Sequence, residues 1–272
     1  MQSLASARLR AGDSLMHPGD VAWALGWFPK TQEQLAASVS LWHRGDELVA
    51  WSLLDRGELW TCTAPNDTEA DDAIEAAAAE MPGPLSRVAR DDDVDALARL
   101  RASGYARAPD EDMRVFVRLL DDVDVAAVDE RVRPVDPDDD LAPRLHVTHA
   151  AFDVAMPFDA YSEAYASFMQ TPPYPRGWDL VVWTDDGEPA AATIAWPDGD
   201  SSVGNFEPVA THPAHRRRGL ASAVMREGMR RLRAAGMHHA IVRTPVSNAG
   251  ATAAYRSVGF ADAGHELVLR RS

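Results

Sequence analysis

Two apolar runs between residues 179 and 198 flank Asp186-Gly187, a pattern that predicts a pair of strands joined by a tight turn. A third strand is expected at about 204–211. Residues 220–236 then set apolar side chains on one face and arginines on the other, which predicts a helix stopped by Gly236. A strand at 239–246, a short helix at 248–260 and a last strand at 265–271 follow. Upstream, 141–152 and 159–169 read as helices separated by Pro157. The first half repeats the later part of this order. It has strands within 46–64, a helix at 68–81, and a second helix from Val94 that runs into a strand at 112–120. Setting Gly104 on Gly259, an offset of 155 residues, brings LRASGYARA over YRSVGFADA and Ala96 over Ala251. An internal duplication is the expectation.

Residues 120–142, between the halves, combine acidic runs with Pro134 and Pro137 and show no sustained apolar period. The expected division is a first domain over 1–125, a linker over 126–140 and a second domain over 131–272, which opens on a strand near 131–135. The 272 residues suffice for two average domains. The net charge of −15 is unevenly spread: residues 1–130 hold 12 basic and 25 acidic side chains, residues 131–272 hold 15 and 17. A negative surface disfavours nucleic acid and anionic membranes as partners and suits a cationic acceptor such as an amine. No apolar run reaches the ~18–20 residues of a membrane span. The first twenty residues, with Arg8, Arg10, Asp13 and Asp20, carry no leader-like stretch, so a cytoplasmic location is expected. Cys62, the single cysteine, reads as a small buried residue.

Candidate chemistry concentrates in THPAHRRRGLASAV, residues 211–224, where a strand ends, an Arg- and Gly-containing turn follows and a helix begins. The N–H groups of a helix start have no intrahelical partners and carry the positive end of the macrodipole. Gly219 and Ala221 let backbone approach a bound group, and Arg216, Arg217 and Arg218 add charge, so the segment describes a phosphate or pyrophosphate cradle. A solvated basic turn is the alternative.

The run Arg216-Arg217-Arg218-Gly219-Leu220-Ala221 fits the Q/R-x-x-G-x-G/A signature of the GNAT acetyltransferase superfamily. About thirty residues on, Asn248-Ala-Gly-Ala251-Thr-Ala-Ala-Tyr255-Arg-Ser-Val-Gly259-Phe260 resembles that superfamily's N-x-x-A-x-x-x-Y-x-x-x-G-F segment. The resemblance covers residues 131–272 and reaches the first half through element order alone, a tandem layout similar to that of mycothiol synthase. It implies an α/β (α+β) fold of two tandem GNAT-like domains, each a mixed, mostly antiparallel sheet flanked by helices. It also implies transfer of an acetyl group from acetyl-CoA, with no metal, to a primary amine of a small molecule. The pyrophosphate is expected on the N–H groups of Arg217 to Ala221, with Arg216 opening the loop. The pantetheine is expected along the backbone of Val209 and Thr211, and Asn248 is expected to contact the cofactor.

Tyr255 matches the tyrosine with which the family protonates the leaving thiolate; a core tyrosine is the alternative. Glu207 is the candidate base, with strand alternation setting Glu207, Val209 and Thr211 on one face and Pro208 marking a bulge or splay. A solvated carboxylate with proton transfer through waters remains open. The pairs His146/His149 and His212/His215 have His-x-x-His spacing, but structural or substrate-contact roles are favoured over metal. Trp178, Trp183 and Trp196 are assigned to core and pocket wall, and Tyr161, Tyr165 and Tyr174 to the helical region covering the acceptor.

The first half fails the same tests. Asp67, Glu69, Asp71 and Asp72 stand where the anion would sit, Asp93 falls on Asn248 and Leu100 on Tyr255. It reads as a degenerate copy. Two alternatives stay open for the whole chain: a non-catalytic acetyl-CoA-binding regulatory protein, and a transferase using another acyl-CoA.

Overall fold

The computed structural model describes residues 1–12, 14, 16–26, 32–170 and 174–272. In chain order the first half contains α1 (Gln2–Ala11), α2 (Pro18–Gly26), α3 (Gln32–Ser38), β1 (Val39–Arg44), β2 (Glu47–Asp55), β3 (Glu58–Thr63), α4 (Thr68–Ala79), β4 (Leu85–Arg90), α5 (Val94–Ala102), β5 (Ala106–Arg107) and β6 (Met113–Leu119). The second half contains β7 (Val132–Pro134), α6 (Leu141–Ala151), α7 (Phe158–Met169), β8 (Asp179–Trp183), β9 (Pro189–Asp198), β10 (Val203–Thr211), α8 (Leu220–Ala234), β11 (His239–Pro245), α9 (Ala249–Ser257) and β12 (Ala261–Arg271). The elements expected of the second half are all present, with β12 starting four residues early. In the first half the sequence pattern missed α1, α2, α3, β1, β4 and β5, the last of which lies where the helix from Val94 was expected to run on.

All strands join one mixed, mostly antiparallel sheet flanked by helices, in the order β1-β2-β3-β4-β12-β6-β11-β10-β9-β8-β7, with β5 on β12. The two parallel pairings occur at equivalent places, β3 with β4 and β10 with β11. Each is a strand–helix–strand crossover, through α4 and α8 respectively, as parallel neighbours require. The offset of 155 residues also carries α5 onto α9. Asp93 and Asn248 cap these helices alike, accepting from Ala96 N and Ala251 N, and Gly104 and Gly259 follow them with φ of 84° and 90°.

The last strand of each half lies beside the other half's crossover. β6 pairs antiparallel with β11 over its whole length, and β12 pairs antiparallel with β4 from Glu266 to Arg271. Phe116 of β6 is fully buried in the core of the second half, among Phe206, Met225, Leu232, Val242, Tyr255 and Phe260. Leu267 and Leu269 of β12 fill the core of the first half with Leu85, Leu97 and Leu100. The sheet crosses the proposed division at 126–140 in both directions. β7 falls inside that segment, at the opening strand expected near 131–135.

The exchange predicts that neither half folds alone, since cutting between Asp122 and Asp129 leaves β11 and β4 as open edges. Residues 1–125 and 126–272 expressed separately are expected to be insoluble or to lack a cooperative melt. Co-expressed from two cistrons, they should purify as a 1:1 complex with native circular dichroism. A cooperative melt from either fragment alone would show the exchange to be dispensable.

Candidate active site

β10 and β11 pair in parallel from Val203–His239 to Phe206–Val242 and no further. On its other edge β10 slips against β9: Phe206 faces Ala195 and Val209 faces Thr193, so Glu207 and Pro208 together oppose the single residue Ile194. Proline has no N–H to give to a ladder, and two residues against one is a bulge. Trp196 Nε1 donates to the Glu207 carbonyl at 2.8 Å and holds the bulge from β9. The extra residue reverses the alternation. Val209 and Thr211 therefore share the face of Phe206, which corrects the expectation that Glu207, Val209 and Thr211 lie on one face.

Where the strands part, a cleft of about 600 Å³ opens between β10, α8 and α9. Val209, Thr211, Arg216, Arg217, Gly219, Leu220, Ala221, Asn248 and Tyr255 line it, so nearly the whole sequence-derived set converges. Arg218 is turned away, with Nη1 2.9 Å from His215 Nδ1. Ala251 and Ala254 of α9, with Ala151 and Phe152 at the end of α6, complete the walls. The first pair keeps the floor open by being small. The second pair could not be found from the motifs, because it arrives from a different element.

Arg217 and Gly219 at the mouth of α8 have φ of 62° and 74°, and the backbone between them folds into a concave turn. A Cβ on Gly219 would meet no atom within 4 Å, so glycine is required there by conformation rather than by space. α8 has no side-chain cap, whereas Asp67, Asp93 and Asn248 cap α4, α5 and α9. The first N–H groups of this fifteen-residue helix have no intrahelical partner, and Gly219, Leu220, Ala221 and Ser222 line the cleft. Asn248 has a double position: its Oδ1 accepts from Ala251 N at 3.0 Å while the residue lines the cleft.

Tyr255 is buried, its ring edge-on to Phe116 of β6 at 5.6 Å. Burial and the nearby Glu207 carboxylate both raise its hydroxyl above the usual tyrosine range, so it keeps its proton at neutral pH. Glu207 does not line the cleft; it sits at the sheet opening. Burial pushes its carboxyl up to about 7, Asp20 adds to the shift and Arg243 opposes it.

Asp20 reaches this point from α2, where Gly19 packs so closely on Trp196 that a Cβ would lie 2.6 Å from its Cγ. Asp20 accepts from His17 N at 2.8 Å and from Asn205 Nδ2 at 2.6 Å, and faces Arg243 Nη1 at 3.2 Å. The sequence singled out none of these partners.

Elsewhere the flagged side chains have structural partners. Tyr165 and Tyr174 donate to Asp179, at 2.5 and 2.9 Å, beneath the fully buried Arg144, whose Nε donates to the same carboxylate at 3.0 Å. Tyr161 donates to Thr148 Oγ1. His146 stacks on Phe158 at 3.9 Å, His149 Nε2 meets the Met156 carbonyl at 2.8 Å, and His212 Nδ1 accepts from Ala214 N. Among the described residues no group of three or more His, Cys, Asp or Glu is arranged to hold a metal, and no helix is long and apolar enough to cross a membrane.

The first half has a cavity of only about 160 Å³ at the equivalent opening between β3 and β4. Arg87, bonded to Glu75 at 2.9 Å, and Arg99, bonded to Asp71 at 3.2 Å, line it. The β3–α4 connection is four residues, against eight between β10 and α8, and Asp67 fills the helix mouth.

Comparison with known proteins places these features in context. Residues 149–260 match the family model described as the Acetyltransferase (GNAT) family. No protein of curated function matches the sequence significantly. Among solved structures the fold is similar to a tandem GNAT protein from the clavulanic acid biosynthesis pathway, at TM-score 0.67 and 16% identity, covering 99% of this chain and 93% of that one. It is similar also to a GCN5-related N-acetyltransferase from Sphaerobacter thermophilus (TM-score 0.62, 18% identity, 98% and 90% covered). A GNAT-family acetyltransferase from Colwellia psychrerythraea gives TM-score 0.64 at 13% identity, with 99% and 96% covered. The chain therefore has a tandem GNAT-like fold, and its residues 149–260 match the GNAT acetyltransferase family model.

Proposed function

We propose that the second half transfers an acetyl group from acetyl-CoA to a primary amine of a small molecule, by direct attack within a single ternary complex. The observation that carries this reading is the uncapped mouth of α8, with its two left-handed residues, opening into a cleft that Tyr255 also lines. Free N–H groups, a helix dipole and Arg216 and Arg217 suit a pyrophosphate. The unpaired edge of β10 beyond Phe206 offers the backbone of Val209 and Thr211 to an amide-bearing arm running beside it. Asn248 and the small residues Ala251 and Ala254 suit the same arm.

In this reading Glu207 takes a proton from the acceptor ammonium, whose nitrogen then attacks the thioester carbonyl carbon. The new C–N bond forms as the C–S bond breaks. Tyr255 gives its proton to the departing thiolate and recovers one from the proton released by the amine. The products are an N-acetyl amine and free coenzyme A. A carboxyl poised near 7 suits a base that works at neutral pH.

Three outcomes follow from this assignment. Gly219→Asp places a carboxylate at the helix mouth and should abolish acetyl-CoA binding measured by calorimetry. Arg218→Ala should leave binding within about twofold, since Arg218 points at His215. Tyr255→Phe keeps the packing against Phe116 and should lower kcat by roughly 10²–10⁴-fold with little change in acetyl-CoA affinity, in an assay of free thiol release over an amine library.

Glu207→Gln should remove a pH dependence. A carboxyl at about 7 when folded and about 4.5 when unfolded binds its proton more tightly in the folded chain. Its contribution to stability is therefore present below about pH 4.5 and lost as pH rises to about 7. Urea midpoints of Glu207→Gln should gain on the parent chain across that interval and run parallel above it. Parallel profiles throughout would place Glu207 in water and remove it as the base.

A further inference from the structure

The register of β10 and β11 sets Glu207 and Arg243 at successive positions, side by side, one step beyond the last paired residues Phe206 and Val242. Arg243 is partly buried, its side chain 11% exposed, and is held by two carboxylates. Its Nη1 lies 3.2 Å from Asp20 on α2, and its Nε lies 2.9 Å from Glu266 on β12. Asp20 is fixed in turn by His17 N and by Asn205, two residues before Glu207 on the same strand. A second connection runs through packing. Gly19 seats α2 on Trp196, and Trp196 donates to the Glu207 carbonyl. The backbone at the bulge is thus tied to α2 through Trp196, and the Glu207 carboxyl feels the charge of Asp20 from the same helix, which belongs to the half whose own opening is lined by ion-paired arginines.

We propose that Asp20 is a positioning residue for Glu207, holding Arg243 in place and balancing its charge, so that the first half completes the acid–base site of the second. The proposal rests on Glu207 being the base of the reaction proposed above. The charged and titratable groups facing Glu207 are Asp20 from α2, Arg243 from β11 and Tyr255 from α9. Glu266 of β12 acts through Arg243, and His17 is kept neutral by burial. Asp20 favours the protonated form of Glu207 and Arg243 the ionised form. Neutralising Asp20 leaves Arg243 less compensated, and the proton leaves Glu207 more readily.

The test follows the carboxylic acid band of Glu207 by difference infrared titration of the full chain, with Glu207→Gln identifying the band. The measurement needs neither acetyl-CoA nor an acceptor, so its outcome is separable from that of the cofactor titrations. Asp20→Asn, nearly isosteric, should lower the midpoint by about half a pH unit or more. Arg243→Gln should raise it. A folded Asp20→Asn chain with an unmoved midpoint would make Asp20 a structural anchor only and overturn the proposal. If Asp20→Asn does not fold, a folded Arg243→Gln chain with an unmoved or lowered midpoint overturns it equally, and a raised one supports it.

Discussion

Between Phe206 and Val209 the chain sets two residues opposite one on β9, while β11 stops pairing at Val242. A strand that loses its partners on one edge and bulges on the other leaves backbone donors and acceptors with no place in a ladder, a cost that a folded protein carries only where something else satisfies them. Around this point the candidate site is arranged. The cleft occupies the gap, Tyr255 and the α8 helix mouth line it, and Glu207 sits in the bulge. Pro208 makes the interruption obligatory, since it has no N–H with which to restore the pairing.

The exchange of β6 and β12 ties that site to the half of the chain without a comparable cleft. β6 covers the free edge of β11 and brings Phe116 against the ring of Tyr255, while β12 returns Glu266 to Arg243. The first half keeps the same crossover, and its α5 shares with α9 the side-chain cap and the left-handed glycine that follows, yet its opening is lined by ion pairs from Arg87 and Arg99 and its crossover helix is capped by Asp67. One copy of the design holds an opening. The other supplies a strand, a helix and a carboxylate to its rim.

Much of this was legible in the sequence for a physical reason: it was local. The α8 and α9 helices, the Asp186-Gly187 hairpin and the equivalence of Asp93 with Asn248 follow from periodicity, turn chemistry and capping within short windows. The loop from Arg216 to Ala221 follows from helix-mouth electrostatics, though Arg218 proved to face away. The side-chain direction of Val209 and Thr211 was misjudged because Pro208 marks a bulge without saying how many residues it absorbs. The exchange of β6 and β12 leaves no trace in either strand's own pattern, since the identity of a strand's neighbour is not encoded in its alternation. The contact of Asp20 with Arg243, and the buried Arg144–Asp179 pair beneath two tyrosines, join segments far apart in the chain and look like ordinary surface charges when read in sequence.

The two openings are unequal: the second half has a cleft of about 600 Å³ at the α8 mouth, proposed to take acetyl-CoA, and the first a cavity of about 160 Å³ lined by ion pairs. Calorimetric titration of the full chain with acetyl-CoA measures this directly. One site per chain is the expected result. Two equivalent sites, or no binding by a folded chain, would contradict it.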